Sequence, residues 1–276
     1  MPMKYRNSLK QLKSIIEKTG SLAVAYSGGV DSTFLLKVAH DVLKDKVIAF
    51  TARSAIHPER EFKQAEEFSC QSGIRHIVIQ SKELEMEEFT ANPPNRCYLC
   101  KHSLFLQIKE IAAKYHIQNI AEGSNIGDLD DYRPGMKAIE ELGIISPLQD
   151  AGFNKNAIRK LSKKIGLPTW NKQSSACLAS RFPYGEKITR DKLTMVDKAE
   201  QYLIDLGFRQ VRVRYHGDTA RIEVAEAERR KFFNLKLMNN IYKKFGQIGF
   251  IYSSLDLQGY RTGSMNEILD AGEKSI

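Results

Sequence analysis

The sequence predicts an α/β protein: a parallel, doubly wound sheet followed by a smaller C-terminal α+β domain. Three observations predict it. Up to about residue 150, short apolar runs alternate with helical patterns, the signature of strands joined by covering helices. A pair of glycines, Gly28 and Gly29, stands between the first apolar run and the first long helical pattern. After a stretch broken by Pro168, a run of serines and Pro183, the order changes to helix, hairpin, helix and strand.

In order, "MPMKYRNSLKQLKSII" reads as an amphipathic helix rather than a signal peptide. The runs "SLAVAYS", "KVIAFTA", "RHIVIQ" and "QNIAEGS" are the expected strands. Helical patterns cover Asp31 to Leu43, Glu59 to Ser72 and Ser103 to Tyr115, and "NKNAIRKLSKKIG" is a further helix. Beyond the linker come a helix from Lys192 to Leu206, a hairpin, a helix from Ala225 to Lys244 and a last strand near Phe250 to Leu257. The expected domains are 1–170, a linker 171–190 carrying Cys177, and 191–276 as a substrate and oligomerisation domain of a homo-oligomer.

In "QVRVRYHGDTARIEV" a turn at Gly217-Asp218 sets Arg212 opposite Glu223 and Arg214 opposite Arg221. Alternation then puts those four on one face and Val213, Tyr215, Ala220 and Ile222 on the other. The charged face is either a cationic platform for a ligand or a solvated face of salt-bridged pairs.

Hydrophobic residues at 42% and charged residues at 27% exclude extensive disorder. No apolar run reaches the length of a membrane span, so no membrane partner and a cytoplasmic location are expected. A net charge of +9 fits either nucleic acid or small anions and chooses neither. Four cysteines in a chain this long do not suggest a disulfide scaffold, and Cys97 and Cys100 at CxxC spacing point to metal or redox chemistry. The six histidines include no spaced ligand pair, Trp170 reads as an anchor of the linker, and Cys70 reads as a small buried hydrophobe.

The stretch "AVAYSGGVDSTFLLK" is an anion site in outline. Gly28 and Gly29 let the backbone take positive φ and approach a ligand, and the helix behind them presents unpaired amides. Ser27, Ser32 and Thr33 can donate to phosphate oxygens, and Asp31 can hold Mg²⁺ or cap the helix. Val30-Asp31 stands where a Walker loop carries its lysine, which disfavours a γ-phosphate kinase.

"SGGVDST" resembles the PP-loop of the ATP pyrophosphatases (adenine nucleotide α-hydrolase-like fold). With "DYRPGMKA", "SRFPYG", "VRVRYH" and "LDLQGYRTGSMN" in order, nearly the whole chain resembles the LarE family of ATP-dependent sulfur-insertion enzymes, which act in nickel-pincer nucleotide biosynthesis. The resemblance implies ATP at Ser27, Gly28, Gly29, Asp31, Ser32 and Thr33, with Mg²⁺. It implies a small nucleotide substrate, pyridinium-3,5-biscarboxylic acid mononucleotide, that is adenylated and then receives sulfur.

Arg181, Arg212 and Arg214 suit its phosphate and carboxylates. By the same resemblance Ser180 joins the substrate site, and Glu200 and Glu223 are active-site carboxylates that hold a metal or orient the arginines. A solvated surface charge is the alternative for Glu200.

Some family members resemble one another in a sacrificial cysteine before "SRFPYG", the place of Cys177. The added pair Cys97 and Cys100 resembles instead the branch in which three cysteines hold a 4Fe–4S cluster with one iron open for a hydrosulfide. A Cys3His zinc site with His102, or a redox pair, competes with that reading. The rival functions are a tRNA thiolase, against which no separate RNA module is visible so that nucleic acid is not the expected partner, and a non-catalytic nucleotide-binding protein with structural zinc.

Overall fold

The computed structural model describes residues 3–128, 134–173, 176–261 and 263–267. Asp131 to Arg133 of "DYRPGMKA", Ser174 and Ser175 before Cys177, and Thr262 of the last motif lie outside the described residues. In chain order the elements are α1 Met3–Thr19, β1 Leu22–Ala25, α2 Val30–Leu43, β2 Val47–Arg53, α3 Glu59–Gln71, β3 Arg75–Gln80, α4 Glu87–Thr90, α5 Arg96–Lys114 and β4 Ile120–Ala121. There follow α6 Gly135–Glu141, α7 Pro147–Asp150, α8 Lys155–Lys164, α9 Arg190–Asp205, β5 Val211–His216, β6 Thr219–Val224, α10 Leu235–Ile248 and β7 Tyr252–Leu255. They fall into two compact units, Met1–Lys82 with Asn95–Ser175, and Glu83–Pro94 with Ala176–Ile276.

The first unit is the expected doubly wound sheet. Its four strands are all parallel in the order β3-β2-β1-β4, and Ile145 bridges to Ala121 at the β4 edge. Because side chains alternate, β1 feeds two cores. Leu22 and Val24 pack with Leu12 and Ile16 of α1, Phe34 and Leu35 of α2, and Ile158 and Leu161 of α8. Ala23 packs on the other face with Phe105, Ile108 and Ala112 of α5 and Ile139 of α6. Each of the fully buried Leu, Ile, Val and Phe side chains contributes roughly 1.5–3 kcal/mol.

In the second unit β5 and β6 form the antiparallel hairpin with the expected register, Arg212 opposite Glu223 and Arg214 opposite Arg221. β7 adds parallel to β6 after the α10 crossover. Val213, Ala220 and Ile222 are buried, as expected of the apolar face. Arg212, Arg214 and Glu223 are buried too, so the charged face is neither solvated nor simply a platform.

Three expectations need correction. α5 begins at Arg96, seven residues before Ser103; the apolar residues of its first turns, Cys97 to Cys100, fall consecutively and so show no helical period, and Cys97 and Cys100 therefore lie on the helix. The helix expected from Ala225 to Lys244 is broken at Asn234, whose side chain accepts the Leu237 amide (3.1 Å) and starts α10 after a 3₁₀ stretch. Cys70 is exposed, since α3 turns Phe62, Ala65, Phe68 and Ser69 inward and leaves the next position to solvent.

Candidate functional site

Two constellations of polar residues stand out, one in each unit. In the first, the loop after β1 lies beside the end of β4, where the strand order reverses direction. In open α/β sheets that switch point is where ligands enter. Gly28 has φ +69°, and a Cβ there would stand 3.1 Å from the Ala65 Cβ. Gly29 takes the N-cap position of α2 without a side-chain cap, at an extended φ of −77° rather than the positive φ expected of it. Asp31 therefore does not cap the helix. It pairs with Lys155 through Oδ2, while its Oδ1 is buried without a hydrogen-bond partner.

Burial pushes the Asp31 carboxyl up in pKa, and Lys155 works against that shift. Ser27 Oγ lies 3.1 Å from Ser32 Oγ, and Ser32 Oγ donates to the Gly29 carbonyl (3.3 Å). Thr33 is completely buried, with its amide on the same carbonyl (3.0 Å). Ser27 is the loop hydroxyl most open to solvent.

Sequence reasoning missed the segment after β4. Glu122 accepts from the Ser124 amide (2.9 Å), Ser124 Oγ (2.8 Å) and Ser146 Oγ (2.7 Å). A Cβ on Gly123 would stand 3.0 Å from the Ser32 amide nitrogen, so only glycine lets this strand end press on the start of α2. The signal was a glycine between two polar residues directly after a strand, in "AEGSN".

In the second unit the 3₁₀ turn Leu178–Arg181 and the hairpin gather most of the expected residues. Arg181 donates from Nε and Nη2 to the two oxygens of Glu200 (2.9 and 3.0 Å), and from Nη1 to the carbonyls of Ala176 (2.7 Å) and Cys177 (2.8 Å) and to Ser180 Oγ (2.9 Å). Ser180 Oγ donates to the Cys177 carbonyl (2.8 Å). Glu200 also accepts the Val213 amide (3.0 Å). Its carboxylate is buried, not the solvated charge weighed as the alternative.

Arg214 joins the Ser180 carbonyl (2.8 Å), Glu223 (2.8 Å) and Ser264 Oγ (2.9 Å), and its Nε is buried without a partner. Arg221 reaches the other Glu223 oxygen at 3.2 Å. Arg212 donates to the Val211 carbonyl and lies 5.2 Å from the Tyr260 ring centroid.

The buried Arg181, Arg212 and Arg214 thus stand against the two buried carboxylates Glu200 and Glu223, one guanidinium in excess, which favours an anion, while the part-exposed Arg221 is shared by Glu223 and Asp256 (3.8 Å). Burial, then the Arg181 charge, pulls the Arg212 guanidinium below its ordinary pKa. Burial alone would raise Glu200, but Arg181 by charge and hydrogen bonds, with Arg212 and the Val213 amide, holds it below the usual carboxylate range. Arg221, Ser264 and Tyr260 were not foreseen as site residues. Arg221 showed itself only as a hairpin partner, and the other two lie in a loop without periodicity.

Cys97 is exposed and Cys100 half-buried on the first turns of α5 in the first unit, three residues apart on one helix face. Cys177, half-buried, belongs to the second unit. None of the cysteines forms a disulfide. Within neither unit, among the described residues, do three His, Cys, Asp or Glu side chains gather as a metal site. No described helix is long and apolar enough to cross a membrane.

A glycine-bent, hydroxyl-rich loop at the switch point of a parallel sheet defines a PP-loop nucleotide-binding enzyme. The family described as Asparagine synthase matches residues 12–115. An uncharacterised protein of Synechocystis, slr1717, is 40% identical over 95% of this chain and 98% of its own. The pyridinium-3,5-bisthiocarboxylic acid mononucleotide synthase of Lactiplantibacillus plantarum is 39% identical over 90% of both chains. MJ0830 of Methanocaldococcus jannaschii, also uncharacterised, is 29% identical over 94% of this chain and 97% of its own. The chain belongs to the LarE family of ATP-dependent sulfurtransferases.

Proposed function

We propose that this enzyme activates a carboxylate of pyridinium-3,5-biscarboxylic acid mononucleotide with ATP and replaces one of its oxygens by sulfur. The observation that carries the reading is the 39% identity, over nine tenths of both chains, to a synthase of the corresponding bisthiocarboxylic acid. A substrate carboxylate oxygen attacks the α-phosphorus, the Pα–O bond to the β-phosphate breaks, and pyrophosphate leaves with the electron pair. A sulfur nucleophile then attacks the acyl carbon and expels AMP. The excess of buried guanidinium in the second unit supports an anionic substrate bound through Arg181, Arg212 and Arg214, with Ser180 in the same turn. The buried partnerless Oδ1 of Asp31 supports Mg²⁺ at the loop, where the ion would offset phosphate charge.

For the sulfur source, the sequence offers three thiolates, Cys97, Cys100 and Cys177, a donor set that fits a 4Fe–4S cluster with one iron left without a protein ligand. Such a cluster, when bound, supplies an exchangeable sulfide. The Cys97 and Cys100 side chains sharing one face of α5 support it. A second reading is favoured by Cys177 itself, whose carbonyl is tied to Ser180 and Arg181 within the arginine network. Its thiolate would attack the acyl-adenylate, and loss of its Cα proton would break the Cβ–S bond, leaving thiocarboxylate and dehydroalanine.

Iron, acid-labile sulfide and zinc per chain, measured on protein purified without oxygen, separate the readings. Roughly four irons and four sulfides per chain, lost in Cys97→Ala, support the cluster. Zinc without sulfide demotes the cysteines to structure, and a metal-free chain whose Cys177 becomes dehydroalanine after turnover supports the second reading.

A further inference from the structure

Within the first unit, two lysines from segments remote in sequence meet the SGGVDST loop. Lys155, in the first turn of α8, pairs with Asp31. Lys172, on the strap after α8, donates from Nζ to the Gly28 carbonyl at 3.0 Å. We propose that Lys155 and Lys172 bind the triphosphate of ATP and supply the cationic function that a Walker loop obtains from a lysine within the loop. This rests on the ATP reading and extends it to residues outside the loop.

A basic residue in the first turn of a helix opposes the positive end of the helix dipole. The start of α8 is nonetheless fixed, because Asn154 caps it by accepting the Ala157 amide at 2.9 Å. Lys172 carries its charge to a neutral carbonyl, and no carboxylate is in ion-pair contact with it among the described residues. Burial draws its pKa down, with Glu61 partly offsetting this. A half-buried ammonium held on a carbonyl is under-compensated until an anion arrives.

The strap is also held in place. Arg159, one turn after Lys155, donates to the carbonyls of Trp170 (3.2 Å) and Lys172 (2.7 Å). Lys163 lies 4.5 Å from the Trp170 ring centroid. One helix therefore places both cations, Lys155 directly and Lys172 through the strap.

In this arrangement Lys155 neutralises Asp31 and Lys172 steadies Gly28. Were Asp31 to hold Mg²⁺, Lys155 would no longer be needed to neutralise it, and both ammonium groups would exchange their present partners for phosphate oxygens. When the Pα–O bond breaks, the electron pair passes to pyrophosphate, and the two ammonium groups offset that charge without losing a proton.

The test is calorimetric binding of Mg-pyrophosphate, Mg-ATP and AMP to the full chain. The variants are Lys155→Gln, Lys172→Gln and Lys172→Arg, with exposed Lys164→Gln as control. Each Gln variant is expected to weaken pyrophosphate roughly 10- to 100-fold, the scale of a lost charge-assisted hydrogen bond. AMP should change by less than about threefold, well under 1 kcal/mol. Lys172→Arg should recover most of the pyrophosphate affinity.

Unchanged pyrophosphate affinity in both Gln variants overturns the proposal. So does an equal loss of AMP and pyrophosphate, which would mark a merely structural role. Should Lys172→Gln fail to fold by melting, Lys155→Gln and Lys172→Arg still decide. A wild-type chain that binds neither ATP nor pyrophosphate would overturn the ATP reading itself, a result distinct from failure of the variants alone.

Discussion

Arg181 and Glu200 form a two-pronged ion pair, Nε to Oε1 at 2.9 Å and Nη2 to Oε2 at 3.0 Å, with side chains only 1% and 2% exposed. The pair ties the turn after Cys177 to α9, and the Val213 amide ties α9 to the hairpin. Such a pair is weak evidence for net stability, yet removing one partner strands a buried charge. Its value to this enzyme is geometric, since it fixes the direction in which Arg181 holds Ser180 and the Cys177 carbonyl.

Glu200→Gln should therefore destabilise the protein by about 3–5 kcal/mol in urea denaturation, if the stranded guanidinium finds no other anion. A loss below 1 kcal/mol would mean that water reaches the pair.

The same residue predicts an acid dependence. Glu200 has a lowered native pKa, so the native state binds fewer protons than the unfolded chain in that range, and the contribution is complete above the unfolded value. It is lost as pH falls from about 4.3, the ordinary glutamate value, down through the lowered native one. The stability gap between wild type and Glu200→Gln should narrow over that interval. A gap independent of pH would contradict the ion-pair account.

Gly28→Ala and Gly20→Ala form a matched test of the loop. Both glycines have positive φ, +69° and +67°, so each substitution should cost about 1–2 kcal/mol of stability. Only at Gly28 does the new Cβ also meet a neighbour, Ala65, at 3.1 Å; at Gly20 nothing lies within 4 Å. ATP affinity should fall in Gly28→Ala and stay unchanged in Gly20→Ala, read by the same calorimetry.

Asn234→Ala should cost about 1 kcal/mol in chemical denaturation, because the side chain caps α10 through the Leu237 amide. Asn234→Gly should cost only a few tenths, roughly, since glycine is tolerated at that position.

Cys70→Ala should change stability by no more than about 0.5 kcal/mol, as expected for an exposed position, and leave untouched whatever iron and sulfide the wild type is found to hold. Loss of either would return Cys70 to a structural or ligand role.

Much of the fold was legible because its signals are local. The four parallel strands read as apolar runs, and the hairpin register followed from one Gly-Asp turn. Gly28, at φ +69°, declared a backbone that other residues resist, whereas Gly29 is extended at φ −77° and makes no such demand. Less legible was whatever depends on contacts across sequence. Lys155 and Lys172 look like two members of a lysine-rich stretch until the fold brings them to Asp31 and Gly28, more than a hundred residues away.

The burial of the arginine face was likewise hidden, since alternation says which side chains share a face but not what covers it. Ser264 reaches Arg214 from fifty residues downstream, and no periodic pattern announces it. The start of α5 was missed because helical period needs apolar residues three or four apart, and those between Arg96 and His102 are four in a row.

The most direct measurement of the central claim is a single reaction containing the full chain, Mg-ATP, the pyridinium dicarboxylate mononucleotide and a sulfide source under exclusion of oxygen. Pyrophosphate and AMP would be followed by ion exchange, and the acid product by mass spectrometry. The account predicts pyrophosphate release that requires the pyridinium substrate, and one pyrophosphate for every oxygen replaced by sulfur. Pyrophosphate released without that substrate, or released with it while its oxygens stay unreplaced, would contradict it.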